Sequence, residues 1–239
     1  MFDFHSHTYY SFDSLTSPKS IVKAAVRLGF KALGVTDHNT IIGGLKTRKV
    51  CSGVPLMIVV GCEVKTDMGD VIGLFLNEEI RSRLFDDVVD QIKAQDRIVY
   101  LPHPYAHHTK LDRMSLERVE VIEAHNGRMS VSANLRAAEL ARNLHRPYLG
   151  GSDCHILSEL GCVMNLSEMP IQDEEDARNI LLRGQSRIHT RPAAHQMLPR
   201  ARAVTYMSWI RSHKYRKFLD RTQSVLRGSI RERLSLDDP

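Results

Sequence analysis

Histidine and carboxylate side chains follow several of the short apolar runs in this chain. The first run, FDFH, carries His5 and is followed by His7, and the second, KALGVTD, ends at Asp37 and is followed by His38. Residues two apart on a strand point to the same side, so both imidazole rings of the HSH stretch can reach one ion. This spacing is typical of a metal site, whose remaining ligands must come from elsewhere in the chain.

Later apolar runs add the same residue types. Glu63 ends the third run, Asp70 begins the fourth, His103 follows the fifth, and Asp153 and His155 follow the seventh. A lone histidine behind a strand is usually an ordinary interior residue, but so many buried carboxylates and imidazoles would be costly without positive charge among them. The predicted ligands are His5, His7, Asp13, His38, Glu63, Asp70, His103, Asp153 and His155. Because one ion takes about four to six ligands, this set predicts two or three divalent metals, bridged by Glu63 or Asp153.

The elements that must position these side chains alternate between strand and helix. Seven apolar runs predict buried strands: FDFH, KALGVTD, PLMIVVGCE, DVIGLFL, RIVYLPH, RVEVIEAHN and PYLGGSD. Capping residues and the helical spacing of apolar side chains predict helices after Ser17-Pro18 and over about 78–96, 130–144 and 173–183. Repeated strand–helix units imply parallel strands with right-handed crossovers, and a closed barrel of such units brings the carboxyl ends of its strands to one rim.

The strand–helix alternation stops near Arg191. Residues 1–190 are predicted to form the barrel and residues 191–239 a basic helical extension, which holds 11 of the 33 Lys and Arg but only 4 of the 28 Asp and Glu. A helix predicted over about 203–227 has one apolar side, which we expect to pack on the barrel rather than on a membrane or nucleic acid. No apolar run approaches about 18 residues and no CxxC pair joins the cysteines, so we expect a cytoplasmic protein with reduced thiols and no membrane span.

The fragments HSH, TDH, GCE, LPHP and GSDCH, in this order, resemble the PHP (polymerase and histidinol phosphatase) superfamily. The resemblance covers about residues 1–190. It implies an α/β fold, a distorted (β/α)7 barrel, here with a C-terminal helical extension. It also implies a di- or trinuclear metal site that hydrolyses phosphoesters with a metal-activated water. The mixture of histidines and carboxylates suits manganese, iron or zinc.

The family pattern also implies which residues share an ion. His5, His7, Glu63 and Asp153 would hold one ion, Glu63 and His103 a second, and Asp13, His38 and His155 a third. Shortly after the bridging glutamate the family commonly has a histidine. This chain has Asp70 there, in MGDVIGLF, and a carboxylate is a harder ligand than an imidazole.

Other polar residues near the strand ends are candidates for supporting roles. Arg128 and Asn126 in HNGR are predicted to bind the substrate, with Asn126 rather than its neighbour His125 pointing into the site. Asp37 is predicted either to orient His38 or to cap the turn that follows. Less specific candidates are His107 and His108 as general acids, and Lys65 and Lys110 as groups that attract anions.

Three functions are open on the sequence alone. The leading hypothesis is a phosphoesterase for a small phosphorylated substrate, either a phosphomonoester or a nucleotide. The second is a phosphodiesterase or exonuclease on oligonucleotides, with the basic segment 191–239 contacting the nucleic-acid backbone. The third is a non-catalytic PHP domain that serves as an interaction partner. The presence of so many mutually repelling ligand side chains argues against that third function.

Overall fold

The computed structural model describes residues 1–106 and 112–191. Its strands, numbered along the chain, are β1 (Phe2–Asp3), β2 (Ala32–Val35), β3 (Met57–Lys65), β4 (Asp70–Leu74), β5 (Ile98–Leu101), β6 (Val121–Asn126), β7 (Tyr148–Gly151), β8 (Val163–Leu166) and β9 (Arg187–Thr190). Its helices are α1 (Pro18–Leu28), α2 (Ile42–Val50), α3 (Phe85–Ala94), α4 (Arg113–Glu117), α5 (Val131–Asn143) and α6 (Glu174–Leu182).

Within the described residues these strands form one nine-stranded sheet in the order β7-β6-β5-β4-β3-β2-β1-β8-β9. Strands β1 to β3 run parallel, as do β5 to β7, whereas β4 is antiparallel to both of its neighbours. The sheet curves until β7 meets β8, where the Asn165 side chain accepts from Gly150 N (2.9 Å) and donates to Gly150 O (2.7 Å). One side chain thus bridges the two strands, and the sheet forms a nearly closed, distorted barrel.

The predicted α/β barrel and its seven predicted strands are confirmed, but the expectation of uniformly parallel strands is wrong. Strands β3 and β4 form an antiparallel hairpin that pairs Lys65 with Asp70. The stretch between them, 66–69, is far too short for the crossover helix that parallel strands need. Strands β8 and β9, which extend the sheet beyond β1, were not predicted from the sequence. Strand β9 is largely exposed and so lacks a continuous apolar run.

Helices α1, α5 and α6 begin at the capping residues seen in the sequence. The side chains of Ser17, Ser130 and Asp173 each accept a backbone N–H from the first helical turn. Helix α1 ends at Gly29, which adopts the left-handed conformation (φ 79°) that favours glycine.

The helix predicted over 78–96 is wrong in its first part, because α3 begins only at Phe85. The loop before it is tied to the far end of that helix, where Gln95 Oε1 accepts from Asn77 N (3.0 Å) and Glu78 N (2.9 Å). These bonds satisfy the backbone without helical geometry. Helices α2 and α4 were not predicted.

Large apolar side chains fill the barrel interior and support the rim. Phe2, Phe4 and Tyr100 are essentially fully buried there, and α6 contributes Ile180 and Leu181 to the same cluster. Burying a side chain of this size stabilises the fold by about 1.5–3 kcal/mol. The strand ends that carry polar residues are therefore supported by a well-packed apolar core.

The predicted basic extension over 191–239 lies outside the described residues, apart from Arg191. No helix in the described ranges is long and apolar enough to cross a membrane. All four cysteines are buried and carry free thiols.

Candidate metal centre

The chain that follows β1 carries the first two predicted ligands, His5 and His7. It runs beside the chain that follows β7, since Ser6 pairs with Cys154 and His7 N donates to Cys154 O (2.9 Å). The His5 and His7 ring centroids lie 5.2 Å apart, and both side chains are fully buried. The HSH spacing thus brings both rings to the same rim of the barrel.

Glu63, near the end of β3, lies at the centre of the histidines. Its Oε2 atom lies 3.5 Å from His5 Nε2, 3.3 Å from His7 Nε2 and 3.1 Å from His38 Nδ1. Its Oε1 atom lies 2.9 Å from His103 Nε2. One carboxylate therefore contacts four imidazoles.

Two aspartates complete the cluster. Asp153 Oδ1, just after β7, lies 3.4 Å from His7 Nε2 and 3.3 Å from His155 Nδ1. Asp13 Oδ2, in the loop between β1 and α1, lies 3.3 Å from His38 Nε2 and 3.1 Å from His155 Nε2. Eight of the nine predicted metal ligands, all except Asp70, meet within this cluster.

Three groups of donor atoms within the described residues are compact enough to hold an ion. They are His5, His7 and Asp153; His5, Glu63 and His103; and His7, His38 and His155. These groups overlap the three ligand sets implied by the family resemblance. In the third group His7 replaces Asp13, which nevertheless contacts both His38 and His155.

The protonation pattern of the first two histidines fits metal binding. His5 Nδ1 lies 2.8 Å from Glu123 Oε1, an acceptor, so this nitrogen carries the proton. Ser11 Oγ donates to Asp37 Oδ1 (2.8 Å) and must therefore accept from His7 Nδ1 at 3.1 Å. Both Nε2 atoms are buried and have no hydrogen-bond partner among the described residues. They point to the space shared with Glu63 and Asp153, where a metal that displaced their protons could bind them.

The donor separations also fit. Two ligands that bind an ion at about 2.1 Å with a tetrahedral angle lie about 3.4 Å apart. The two Nε2 atoms lie 3.3–3.6 Å from the nearest oxygens of Glu63 and Asp153. The residues present can therefore hold a divalent ion without large rearrangement.

Charge pairing keeps the carboxylates of the centre ionised. Burial raises the pKa of Glu63, but the facing His38 and His5 rings outweigh it and hold this pKa well below its usual range. Burial lowers the pKa of His5, yet the surrounding carboxylates raise it well above its usual value. Burial and the neighbouring His7 lower the pKa of His155 to about 4. The centre thus attracts positive charge, and a divalent ion would displace the protons that it otherwise gains.

Two predicted ligands have left-handed backbone conformations, His103 (φ 24°) and Asp153 (φ 51°). Such conformations cost a non-glycine residue about 1–3 kcal/mol and persist only where the surroundings impose them. Here Asp153 N donates to His5 O (2.9 Å) and His103 N donates to Glu123 Oε2 (2.7 Å). Strain of this kind is concentrated at functional sites.

Glu123 on β6 contacts residues of the cluster and was not predicted from the sequence. It is fully buried and accepts four hydrogen bonds, from His5 Nδ1 and Tyr100 Oη on one oxygen and from His103 N and Asn126 Nδ2 on the other. It thus positions residues of two of the three donor groups. A glutamate inside the apolar run VIEAHN was the available signal.

Asp37 does not contact the His38 ring in the way the sequence suggested. Its carboxylate accepts from the backbone and hydroxyl groups of Thr8 and Ser11, at 2.7–3.2 Å. Ser11 Oγ in turn contacts His7 Nδ1 and accepts from His38 N (2.9 Å). Asp37 therefore supports both histidines through Ser11, which the sequence analysis also missed.

The predicted substrate-binding residues lie beside Asp153. Asn126 is buried, and its Nδ2 donates to Asp153 Oδ2 (3.2 Å) and to Glu123 Oε2 (2.9 Å), whereas His125 is half-buried. Arg128 Nη1 lies 3.9 Å from Asp153 Oδ1, and the Arg128 side chain is 17% exposed. Arg128 is thus at the solvent edge of the centre, while Asn126 braces a carboxylate.

Among the described residues, Asp70 belongs to none of the three donor groups. It is buried and pairs with Lys65 at the outer end of the β3–β4 hairpin. Strand alternation puts it on the same face as Glu63, two residues further out. Lys65 is exposed. His107, His108 and Lys110 lie outside the described residues.

Comparison with known families identifies the fold. The PHP domain model matches residues 3–150, and a model described as PHP-associated matches residues 131–186. The chain belongs to the PHP domain family. Two uncharacterized proteins of Methanocaldococcus jannaschii are similar. One is 37% identical over 140 residues, 52% of this chain and 82% of that protein. The other is 30% identical over 186 residues, 73% of each chain.

Solved structures share this PHP fold at low sequence identity. A two-domain protein from Bacteroides vulgatus, described as containing a predicted PHP-like metal-dependent phosphoesterase, has a TM-score of 0.68 at 19% identity. The match covers 79% of this chain but only 64% of that protein. PsfC from Pseudomonas syringae has a TM-score of 0.66 at 15% identity, over 86% of this chain and 97% of that one. These likenesses concern the fold.

Proposed function

We propose that this PHP chain is a metal-dependent phosphoesterase for small phosphomonoesters, nucleotides included, with two or three divalent ions at the centre. The observation that carries the proposal is the convergence of two buried imidazole nitrogens without hydrogen-bond partners, His5 Nε2 and His7 Nε2, on oxygens of Glu63 and Asp153. Such a donor set suits manganese, iron or zinc. Bound ions of this kind lower the pKa of water and neutralise phosphate oxygens, as phosphoester hydrolysis requires.

The protein's own residues would divide the remaining work. Glu63 and Asp153 supply the negative charge that retains the ions, and Asn126 holds the second oxygen of Asp153 in place. Arg128, at the solvent edge, is suited to donate two parallel hydrogen bonds to a phosphate. The barrel over 1–190 would act as the catalytic domain, with 191–239 as a separate basic extension.

The test is elemental analysis of the full-length protein together with phosphate release from a panel of phosphomonoesters. His7→Ala is the critical variant, and His189→Ala, which removes an exposed histidine on β9, is its matched control. We expect two or more ions per chain, and a loss of activity greater than about 100-fold in His7→Ala alone, since outer-shell partners alone are worth about 10–100-fold.

A second panel separates this function from its alternatives. It contains a phosphodiester and a labelled oligonucleotide, because these are the substrates that the oligonucleotide hypothesis predicts. That hypothesis depends on segment 191–239, which lies outside the described residues apart from Arg191. Faster cleavage of the oligonucleotide than of any monoester would overturn the monoesterase proposal. Absence of bound metal and of phosphate release, even with added manganese, would favour the non-catalytic alternative.

A further inference from the structure

Phe12 stands exposed beside this buried centre. Its side chain is 59% exposed, although the adjacent Asp13 is buried. One face of the Phe12 ring stacks on the ring of His38, with the centroids 5.2 Å apart and the planes 25° from parallel. An aromatic surface therefore extends from a predicted metal ligand to solvent.

The loop that carries Phe12 is held firmly. Tyr9 N donates to Thr16 O (2.8 Å), and Ser14 Oγ donates to His7 O (3.0 Å) and to His155 O (2.9 Å). These bonds fix both sides of the loop to the chain segments of the centre. The exposure of Phe12 thus follows from a defined backbone position and not from loose packing.

An exposed phenylalanine stabilises the fold little, because most of its apolar area stays in water. Next to a centre that binds the phosphate group, the same ring is well placed to contact the organic part of a phosphoester. A ring already stacked on His38 continues the stack through its other face, and planar rings prefer such offset stacking. A flexible alkyl group would gain less from a flat surface.

We propose that Phe12 is a stacking platform that makes the site selective for phosphoesters carrying a planar aromatic group, such as a nucleobase. This inference rests on the proposed function. The phosphate would occupy the centre, and the aromatic group would lie on Phe12 where the site opens to solvent.

The test compares AMP with ribose 5-phosphate, two monoesters that share the phosphoribosyl group and differ by the adenine ring. KM and kcat are measured on the full-length, manganese-loaded protein where phosphate is released, and Kd by titration calorimetry where it is not. The variants are Phe12→Leu, which keeps an apolar side chain on His38, and Phe12→Tyr, which keeps the aromatic face. Tyr9→Leu is the control, because Tyr9 is similarly exposed (48%) on the same loop but packs on Tyr10.

We expect Phe12→Leu to raise KM or Kd for AMP by about 5- to 150-fold, the usual effect of losing one base-stacking aromatic. The value for ribose 5-phosphate should stay unchanged, as should kcat. Phe12→Tyr should retain the preference for AMP, and Tyr9→Leu should not alter it.

Two results would refute the proposed stacking role of Phe12. One is an unchanged affinity for AMP in Phe12→Leu. The other is an equal loss of affinity for both esters, which would mean that Phe12 only supports His38. If the protein prefers AMP through Phe12 but releases no phosphate, the stacking role of Phe12 is supported and the proposed function is refuted.

Discussion

Replacing Glu123 by glutamine tests whether this residue controls the proton on His5. The carboxylate accepts four hydrogen bonds with two oxygens, and both backbone and side-chain donors face it. In Glu123→Gln, the remaining oxygen serves His103 N best, because a backbone N–H cannot reverse its role. The new NH2 group then faces His5 Nδ1, which must become an acceptor. In the singly protonated ring that metal binding requires, the His5 proton therefore moves to Nε2, the atom that faces Glu63 and Asp153.

The expected changes in stability and in metal affinity follow from this shift of one proton. The fold keeps most of its hydrogen bonds, with weaker neutral bonds in place of charged ones. The free energy of unfolding of the metal-free protein should therefore fall by only about 1–2 kcal/mol. Metal affinity should fall about 10- to 100-fold, the usual effect of losing a partner that orients a ligand. This loss corresponds to about 1.4–2.8 kcal/mol of binding free energy.

The assay is competition between the protein and a calibrated chelator, with thermal unfolding of the metal-free protein measured in parallel. Glu120→Gln is the matched control, since Glu120 lies three residues earlier and Glu120 Oε2 accepts from Val99 N (2.8 Å), away from the centre. If Glu123→Gln folds and binds metal as tightly as Glu120→Gln, the assignment of the His5 proton to Nδ1 is refuted.

Three further outcomes follow. Gly151→Ala would place a Cβ 2.0 Å from Glu123 Oε1 and 2.8 Å from His5 Cβ, so we expect weaker metal binding and a lower Tm; an unchanged chelator titration would contradict this geometry. Ser11→Ala removes the link between Asp37 and His7, and metal affinity should fall about 10-fold; equal affinities in competition experiments would count against the link. Chelation of the loaded protein should lower Tm by about 5–11 °C, since an ion at 100 times its Kd contributes about 2.7 kcal/mol; calorimetric scans with identical Tm would argue against metal at the centre.

The cluster of histidines and carboxylates was predictable where the chain places these residues at strand ends. His5 and His7 share a side because strand residues alternate, and His103 and Asp153 follow buried apolar runs. Barrel topology then brings these ends to one rim. The contacts among these side chains in the structure agree with that reasoning. The prediction succeeded because strand alternation and strand ends can be recognised from local sequence pattern.

Asp70 remains a predicted ligand, but its place in the structure does not follow from local sequence pattern. It was predicted from its position after Glu63, and its strand does pair with β3. The antiparallel hairpin, however, carries Asp70 two residues beyond Glu63, toward the open end. Strand direction depends on the length of the connection and on pairing with distant strands, which a run of apolar residues does not specify.

The sequence by itself determined the residue types of the centre, their order and the barrel that gathers them, because apolar periodicity and strand-end chemistry are local properties. Only the tertiary structure decided which atoms face one another. The hydrogen bonds of Glu123 to His5 and His103, and of Ser11 to Asp37 and His7, join strands and loops far apart in the chain. Such contacts depend on packing over the whole barrel, and they decide which ring nitrogen of each histidine faces Glu63 and Asp153.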